Sequence, residues 1–275
     1  YKVLVLPDCI TLEGDLLAKV RTFLDRGGQL LLTGTSGMTP ARDGFAVPFS
    51  ADVNGESPYQ PDYIVARPGL DNDLVTSPFV AYSGAMQVTS DTAEVLAETR
   101  VPYFNRRWNH FCSHQHTPYR PERNTAYDAA LTDGRIVYFA HRLFGEYHAK
   151  GQPLLKYLVR GGLQRLLPEP AVKVNLPSSG RVSLMQQDNR KLLHLLYCQT
   201  QLRGQGGEGW HGQQTMEIIE DAAPLHDVDC SVACERKPDR VYTGADRKDL
   251  PFTYKQERVS FTLPKLYIHE LVVIE

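Results

Sequence analysis

The pattern of apolar residues changes at Pro168-Glu169-Pro170, and this change limits the folds open to the chain. Two prolines around one residue disfavour both helices and central strands, so they are typical of a domain boundary. Beyond them, seven short runs between Arg181 and Ile274 alternate apolar and polar residues. Evenly spaced short strands without helices favour an antiparallel β-sandwich. The sequence therefore predicts two domains, 1–168 and 169–275.

The first domain opens on a strand-helix-strand pattern. Tyr1–Leu6 and Gln29–Thr33 are apolar runs, as expected for strands buried on both faces, and a segment with an apolar helical face separates them. Strands joined in this way are parallel. Arg135–Ala140 is a further buried strand, followed by a loop at His141–Gly151 and a helix at Leu154–Leu167. These elements predict a parallel sheet.

Composition excludes several classes of function. Lys and Arg number 30 against 32 Asp and Glu, and no basic block occurs, so we expect no nucleic-acid partner. No apolar run reaches the ~18 residues that a membrane helix needs, so we expect no membrane contact. Five widely spaced Cys do not form a disulfide framework. Gly34-Thr35-Ser36-Gly37 matches neither a phosphate loop nor a nucleophile turn, and we expect no cofactor.

The start of the chain suggests that it is a piece of a longer protein. It begins directly on a buried-type strand, with neither a leader nor an initial Met. We therefore expect a fragment, and the compartment of the parent protein, cytoplasmic or periplasmic, stays open.

The segment Val101–Pro118, called here the aromatic segment, is the densest in side chains that can do chemistry. It contains three His, one Cys, two Arg, two Asn and four aromatic residues. At the period of a strand, four of these side chains share one face, namely His110, Cys112, His114 and His116. This arrangement predicts either a site or a packed junction.

A metal site is the first alternative for the aromatic segment. His and Cys are good zinc ligands, but alternate residues of a strand stand ~6.5 Å apart, too far for four donors on one ion. Two of them could bind with help from His141 or His148. We assign no metal ligand on this basis.

A polar-ligand or sugar site is the second alternative. Its candidate residues combine an apolar face with directional hydrogen-bonding groups: Asn105, Arg106, Trp108, His110, His114 and His116. Glu146 lies in the loop after the Arg135–Ala140 strand and is the one candidate catalytic carboxylate. Glycosidases need a second carboxylate across the scissile bond, and the sequence offers no clear partner.

A packed junction is the third alternative. Buried His and Asn side chains often fix loops through the backbone, and Arg and aromatic residues are enriched at subunit contacts. The same six residues would then lie at an interface with another subunit or domain.

Several motifs resemble one family of enzymes. They are Y-x-V-L-V-L-P-D, G-G-x-L-L-L-T-G, P-Y-F-N-R-x-W-x-H-F-C-S-H-Q-H-T-P and R-I-V-Y-F-A, with P-x-L-x-x-H-E-L-V-V-I-E at the end. This set resembles the region behind the catalytic barrel of beta-galactosidase-like glycoside hydrolases. The resemblance covers Tyr1 to about Leu167 well and the remainder more loosely.

The resemblance implies a fold and a function. The fold would be a flavodoxin-like α/β domain of the class I glutamine-amidotransferase type, here without its nucleophile, followed by the β-sandwich. The function would be that of a non-catalytic C-terminal portion of a glycoside hydrolase. It would mediate oligomer assembly and shape the sugar cleft of its own catalytic barrel. The alternatives are a self-contained hydrolase that uses Glu146 and a carbohydrate-binding module.

Overall fold

The computed structural model of the protein describes residues 1–122, 127–203, 208–209, 212–213 and 216–275. The chain divides into two compact units, Tyr1–Glu169 and Pro170–Glu275. The boundary expected from the sequence falls one residue earlier. Within the described ranges strand residues outnumber helical ones, and no helix there is both long and apolar enough to cross a membrane.

The first unit contains three helices and nine strands among its described residues. The elements in chain order are β1 Val3–Leu6, α1 Gly14–Asp25, β2 Gln29–Thr33, β3 Asp52–Glu56, β4 Asp62–Ala66, β5 Phe79–Ala81, β6 Met86–Thr89, β7 Glu94–Arg100, β8 Asp128–Thr132, β9 Ile136–Phe139, α2 Leu143–Lys150 and α3 Pro153–Leu166. Seven of the strands form one sheet in the order β1-β2-β9-β8-β7-β4-β5, and β3 pairs with β6.

The prediction of a flavodoxin-like, amidotransferase-like parallel sheet is wrong. Only β1, β2 and β9 pair in parallel, while β8, β7, β4 and β5 are antiparallel to their neighbours. A doubly wound fold needs a crossover helix between successive parallel strands. Here β8 and β9 are joined by the short turn at Asp133-Gly134, where Gly134 has φ of 91°. So short a connection can join only antiparallel strands.

The central strands are buried on both faces, which explains their continuous apolar runs. Along β2, Leu30 and Leu32 belong to one apolar cluster with α1, whereas Leu31 belongs to a second cluster with α2 and α3. The paired glycines of α3 permit close packing, because a Cβ at Gly161 would collide with the backbone carbonyl of Leu70. Helices thus cover both faces of the parallel part of the sheet.

The second unit is built from antiparallel strands. In chain order they are β10 Val172–Val174, β11 Arg181–Gln187, β12 Arg190–Tyr197, β13 Gln201–Arg203, β14 Glu208–Gly209, β15 Gly212–Gln213, β16 Met216–Ile218, β17 Leu225–Ala233, β18 Val241–Thr243, β19 Phe252–Lys255, β20 Arg258–Leu266 and β21 Ile268–Ile274. The strand expected at 214–219 lies partly outside the described residues.

Two four-stranded sheets enclose the apolar core of the second unit. Their orders are β10-β17-β20-β19 and β11-β12-β21-β18. Alternate side chains of both sheets meet in one cluster, including Leu193 and Val272 from one sheet and Val232 and Phe261 from the other. The period-two alternation in the sequence reflects this one buried face per sheet.

Candidate functional site

Five strands of the first unit end at the same edge of its large sheet. Two successive antiparallel pairings separate β7 from β9, so β7 runs in the same direction as β1, β2 and β9, and β5 does likewise. The segments that leave this edge are 7–9, 34–37, 82–83, 101–118 and 140–142. The aromatic segment and the residues before Glu146 therefore start from one edge, where α/β proteins commonly place their sites.

The aromatic segment is a closed loop and not a strand. Tyr103 N donates to Pro118 O at 3.0 Å, and Arg120 N donates to Val101 O at 3.0 Å, which closes its base. Its tip is a tight turn in which the Arg107 and His110 backbones exchange hydrogen bonds of 2.8 and 3.1 Å. The expectation that His110, Cys112, His114 and His116 share one strand face is wrong, because this segment contains no regular strand.

The base of the aromatic segment is fixed to the sheet. The Tyr63 hydroxyl donates to Thr117 O at 2.6 Å, and its ring contacts Tyr119 edge-on at 5.2 Å. Burial, with nearby Cys112, raises the pKa of Tyr63, so its hydroxyl stays protonated and keeps donating. Asn105 Nδ2 donates to Pro58 O at 2.6 Å, and Asn105 Oδ1 accepts from Gln60 N at 3.3 Å. These contacts hold an irregular segment in a single shape.

Arg106 and the three His residues predicted as site residues make contacts within or beside the loop. Arg106 Nη1 donates to the backbone oxygens of His114 and Gln115 at 2.6 and 2.8 Å. His110 stacks on Phe104 with a centroid separation of 3.9 Å, and His116 meets the edge of Tyr82 at 5.3 Å. The Arg106 guanidinium thus holds the loop by hydrogen bonds, and the His110 and His116 rings pack against aromatic neighbours.

Three rings of the aromatic segment project into solvent. Trp108 at the tip is 89% exposed, Phe111 is 61% exposed and Tyr103 is 53% exposed. Beside the tip lies a cavity of about 330 Å³ lined by Phe104, Asn105, Arg107, Asn109 and His110. Several exposed rings on one hydrogen-bonded loop are typical of a contact surface.

Glu146 lies in helix α2, where the sequence predicts a loop. The helix begins near Asp8, whose carboxylate accepts from Gly145 N at 2.6 Å and Phe144 N at 3.3 Å. An acceptor at this end satisfies helix N–H groups that have no partner within the helix. Gly151, with φ of 66°, ends it. Because Asp8 is distant in sequence, the local pattern does not reveal this cap.

Both carboxylate oxygens of Glu146 are occupied. Oε1 accepts from Tyr82 N at 2.8 Å, and Oε2 accepts from Ser83 N at 2.8 Å and Ser83 Oγ at 2.7 Å. The side chain is buried. Glu146 therefore ties the segment after β5 to α2, and this geometry does not suit a group that must reach a glycosidic oxygen.

A buried ion pair that sequence reasoning missed lies at the same edge. Asp62 at the start of β4 and His141 after β9 are both fully buried, with Asp62 Oδ1 and His141 Nε2 2.6 Å apart. Burial by itself lowers the pKa of His141, but the Asp62 carboxylate and then Glu146 outweigh it, so the pKa is raised. In the sequence, Asp62 stands beside the apolar run of β4 and His141 stands beside that of β9. This placement of a polar residue at the end of each run is the local sign of the pair.

This pair makes the stability of the first unit depend on pH. The unfolded His titrates near about 6.5, and a raised folded pKa contributes stability that is complete below that pH. The contribution is lost as pH rises through the folded pKa. We expect the free energy of unfolding to fall as pH rises above about 6.5 and through the raised folded pKa of His141, and His141→Gln to flatten this slope. Urea titrations of the full chain, with hydrogen exchange of β4 and β9 peptides, would test this; an equal slope in the variant would contradict it.

The residues that the structure describes contain no group of three or more His, Cys, Asp or Glu side chains placed to hold a metal ion. In particular, the rings of His110 and His116 contact aromatic neighbours. The third His of the segment, His114, offers its backbone oxygen to Arg106.

Comparison with known proteins relates the chain to parts of glycoside hydrolases. No family model and no curated protein sequence matches it. The solved alpha-L-fucosidase isoenzyme 2 from Paenibacillus thiaminolyticus is similar over 100% of this chain and 41% of its own, with 32% identity and a TM-score of 0.91. The beta-galactosidase from Bacillus circulans sp. alkalophilus matches 100% of this chain and 33% of its own, with 12% identity and a TM-score of 0.56.

A beta-galactosidase from Rahnella sp. R3 is similar at the same level, with 12% identity, a TM-score of 0.53 and coverage of 99% of this chain and 32% of its own. The two beta-galactosidases share the fold. The chain thus spans about two fifths or less of the length of these proteins. It is a glycoside hydrolase-like region.

Proposed function

We propose that the chain is the non-catalytic, C-terminal portion of a glycoside hydrolase. In this proposal the aromatic segment mediates oligomer assembly and shapes the sugar cleft of a catalytic barrel elsewhere in the protein. The similarity to the fucosidase along the whole of this chain, but only 41% of that enzyme, is the observation that carries the proposal. An assay of glycosidase activity in the purified chain is its most direct test.

Three carboxylates near one edge of the large sheet, those of Glu146, Asp62 and Asp8, support a non-catalytic role. Hydrolysis of a glycosidic bond needs two carboxyl groups, about 5–10 Å apart, that both reach the sugar. Glu146 is buried with three donors on its oxygens, and Asp62 is buried against His141. Asp8 accepts from Thr33 Oγ1 at 2.6 Å and from the start of α2. Each of these groups is occupied in holding the fold.

The exposed rings support assembly. Trp, Tyr and Arg are enriched among residues that dominate protein–protein interfaces, and rigid side chains lose little entropy on binding. Trp108 extends from a loop whose base and sides are hydrogen-bonded, so its position is set before contact. A neighbouring subunit or the barrel would bury this ring.

A carbohydrate-contacting role is the second candidate. It is favoured by the cavity beside Trp108, where Asn105, Arg107 and Asn109 supply polar groups next to aromatic surface. A sugar ring could stack on the exposed indole while these groups bond its hydroxyls. This role predicts oligosaccharide affinity that is lost in Trp108→Ala.

We expect Trp108→Ala to weaken self-association of the full chain by about 2 kcal/mol or more, the usual effect of truncating a central aromatic anchor. Sedimentation velocity over a concentration series would measure this shift. Tyr267→Ala is a matched control, because Tyr267 is an aromatic residue of the second unit that is 55% exposed. An unchanged association constant in Trp108→Ala would contradict the assembly role. Calorimetric titration of the same variants with oligosaccharides measures sugar affinity and so tests the carbohydrate-contacting role.

A further inference from the structure

Two histidine side chains meet on the solvent-accessible face of the sheet β11-β12-β21-β18. His194 lies on β12 and His269 on β21, the two central strands of that sheet. The register pairs Leu196 with His269 and His194 with Leu271, so the two rings are diagonal neighbours on one face. His194 Nδ1 and His269 Nε2 are 3.1 Å apart, with 25° between the ring planes.

We propose that His194 and His269 together bind a divalent transition-metal ion of the zinc or copper class. Zinc–nitrogen bonds of about 2.0–2.1 Å in tetrahedral geometry place two ligating nitrogens about 3.3 Å apart. The observed nitrogen–nitrogen separation of 3.1 Å lies close to this value. Neutral imidazole is a preferred ligand of both ions.

The proton balance of binding is simple. A neutral imidazole carries one N–H and one lone pair, so without an ion one of the two facing nitrogens donates to the other. An ion between them needs both lone pairs. The donor ring meets this need by moving its proton to its second nitrogen, so two neutral rings bind the ion without net release of a proton.

The strands hold the two ligands in place before binding. His194 pairs with Ser183 of β11 on one side and with Leu271 of β21 on the other, and His269 pairs with Leu196 of β12. The neighbouring residues Leu193, Leu195 and Val272 are buried in the core beneath. Ligands on rigid strands bind at a low cost in entropy. With two protein ligands, the remaining positions of the ion are open to water or another donor.

Calorimetric titration of the full chain with Zn²⁺ would test this site. We expect the unmodified chain to bind one equivalent of Zn²⁺ at this site. His194→Gln and His269→Gln should each raise the dissociation constant roughly tenfold or more, since each removes one of two protein ligands. His226→Gln is the matched control, because His226 is an exposed residue of β17 outside this pair. It should bind as the unmodified chain does.

A second readout identifies the ligands directly. Electron paramagnetic resonance of the Cu²⁺-loaded chain should show coupling to two imidazole nitrogens, reduced to one in either single variant. Equal Zn²⁺ affinity in the unmodified chain and both variants would overturn the proposal. So would the absence of binding to the unmodified chain. Neither outcome bears on the aromatic segment, so the metal site and the proposed function stand or fall separately.

Discussion

The His141→Leu variant should lose about 3–5 kcal/mol of the free energy of unfolding of the first unit. This is the usual cost of removing one partner from a buried ion pair. The Asp62 carboxylate is fully buried, and its Oδ2 has no hydrogen-bond partner among the described residues. Without the imidazole, a carboxylate would remain in an apolar interior with its charge uncompensated.

A double variant separates the pair from the packing around it. Replacing both residues, as in His141→Leu with Asp62→Leu, removes the isolated charge and should restore much of the loss, because apolar pairs often substitute well for buried ion pairs. Urea unfolding of all three proteins measures the differences. A single variant as stable as the unmodified chain, or a double variant worse than the single one, would contradict this account.

The Glu146→Leu variant should be the next most damaging. It leaves Tyr82 N, Ser83 N and Ser83 Oγ without their acceptor, at about 1–3 kcal/mol for each donor that stays buried and unpaired. Hydrogen exchange at Tyr82 and Ser83 should accelerate, since the segment after β5 is released from α2. The free energy of unfolding and these two exchange rates are the measurements.

Two further variants serve as controls for the Glu146 prediction. Glu146→Gln keeps one acceptor oxygen and should cost less than Glu146→Leu. Glu13→Gln is the exposed control, because Glu13 precedes α1 without making a side-chain cap, and it should change stability by less than about 0.5 kcal/mol. Equal effects of Glu146→Leu and Glu13→Gln would show that the three donors do not depend on Glu146.

Local patterns in the sequence predict many elements of this fold. Alternation locates β11 at Arg181–Gln187 with the bounds that the structure has, and the apolar runs of β1 and β2 pair in parallel as expected. These elements bury faces whose period is visible in a few consecutive residues. Local patterns do not show which distant strands pair, and this is why the predicted parallel topology of the first sheet is wrong. The turn at Asp133-Gly134 was the local sign of an antiparallel hairpin.

The candidate site was harder to predict because long-range contacts decide what its residues do. Glu146 attracts attention as a carboxylate after a strand, but its role depends on Tyr82 and Ser83, which no spacing connects to it. The regular alternation of the histidines in the aromatic segment suggested a strand. A loop closed by backbone bonds and held by Asn105 and Tyr63 formed instead.

The most direct test of the central claim is an assay of glycosidase activity in the purified chain. Aryl fucosides and aryl galactosides are the substrates suggested by the names of the similar enzymes. The non-catalytic proposal predicts no hydrolysis above the buffer rate for the unmodified chain and for Glu146→Gln alike. Turnover by the unmodified chain that disappears in a folded Glu146→Gln variant would contradict it.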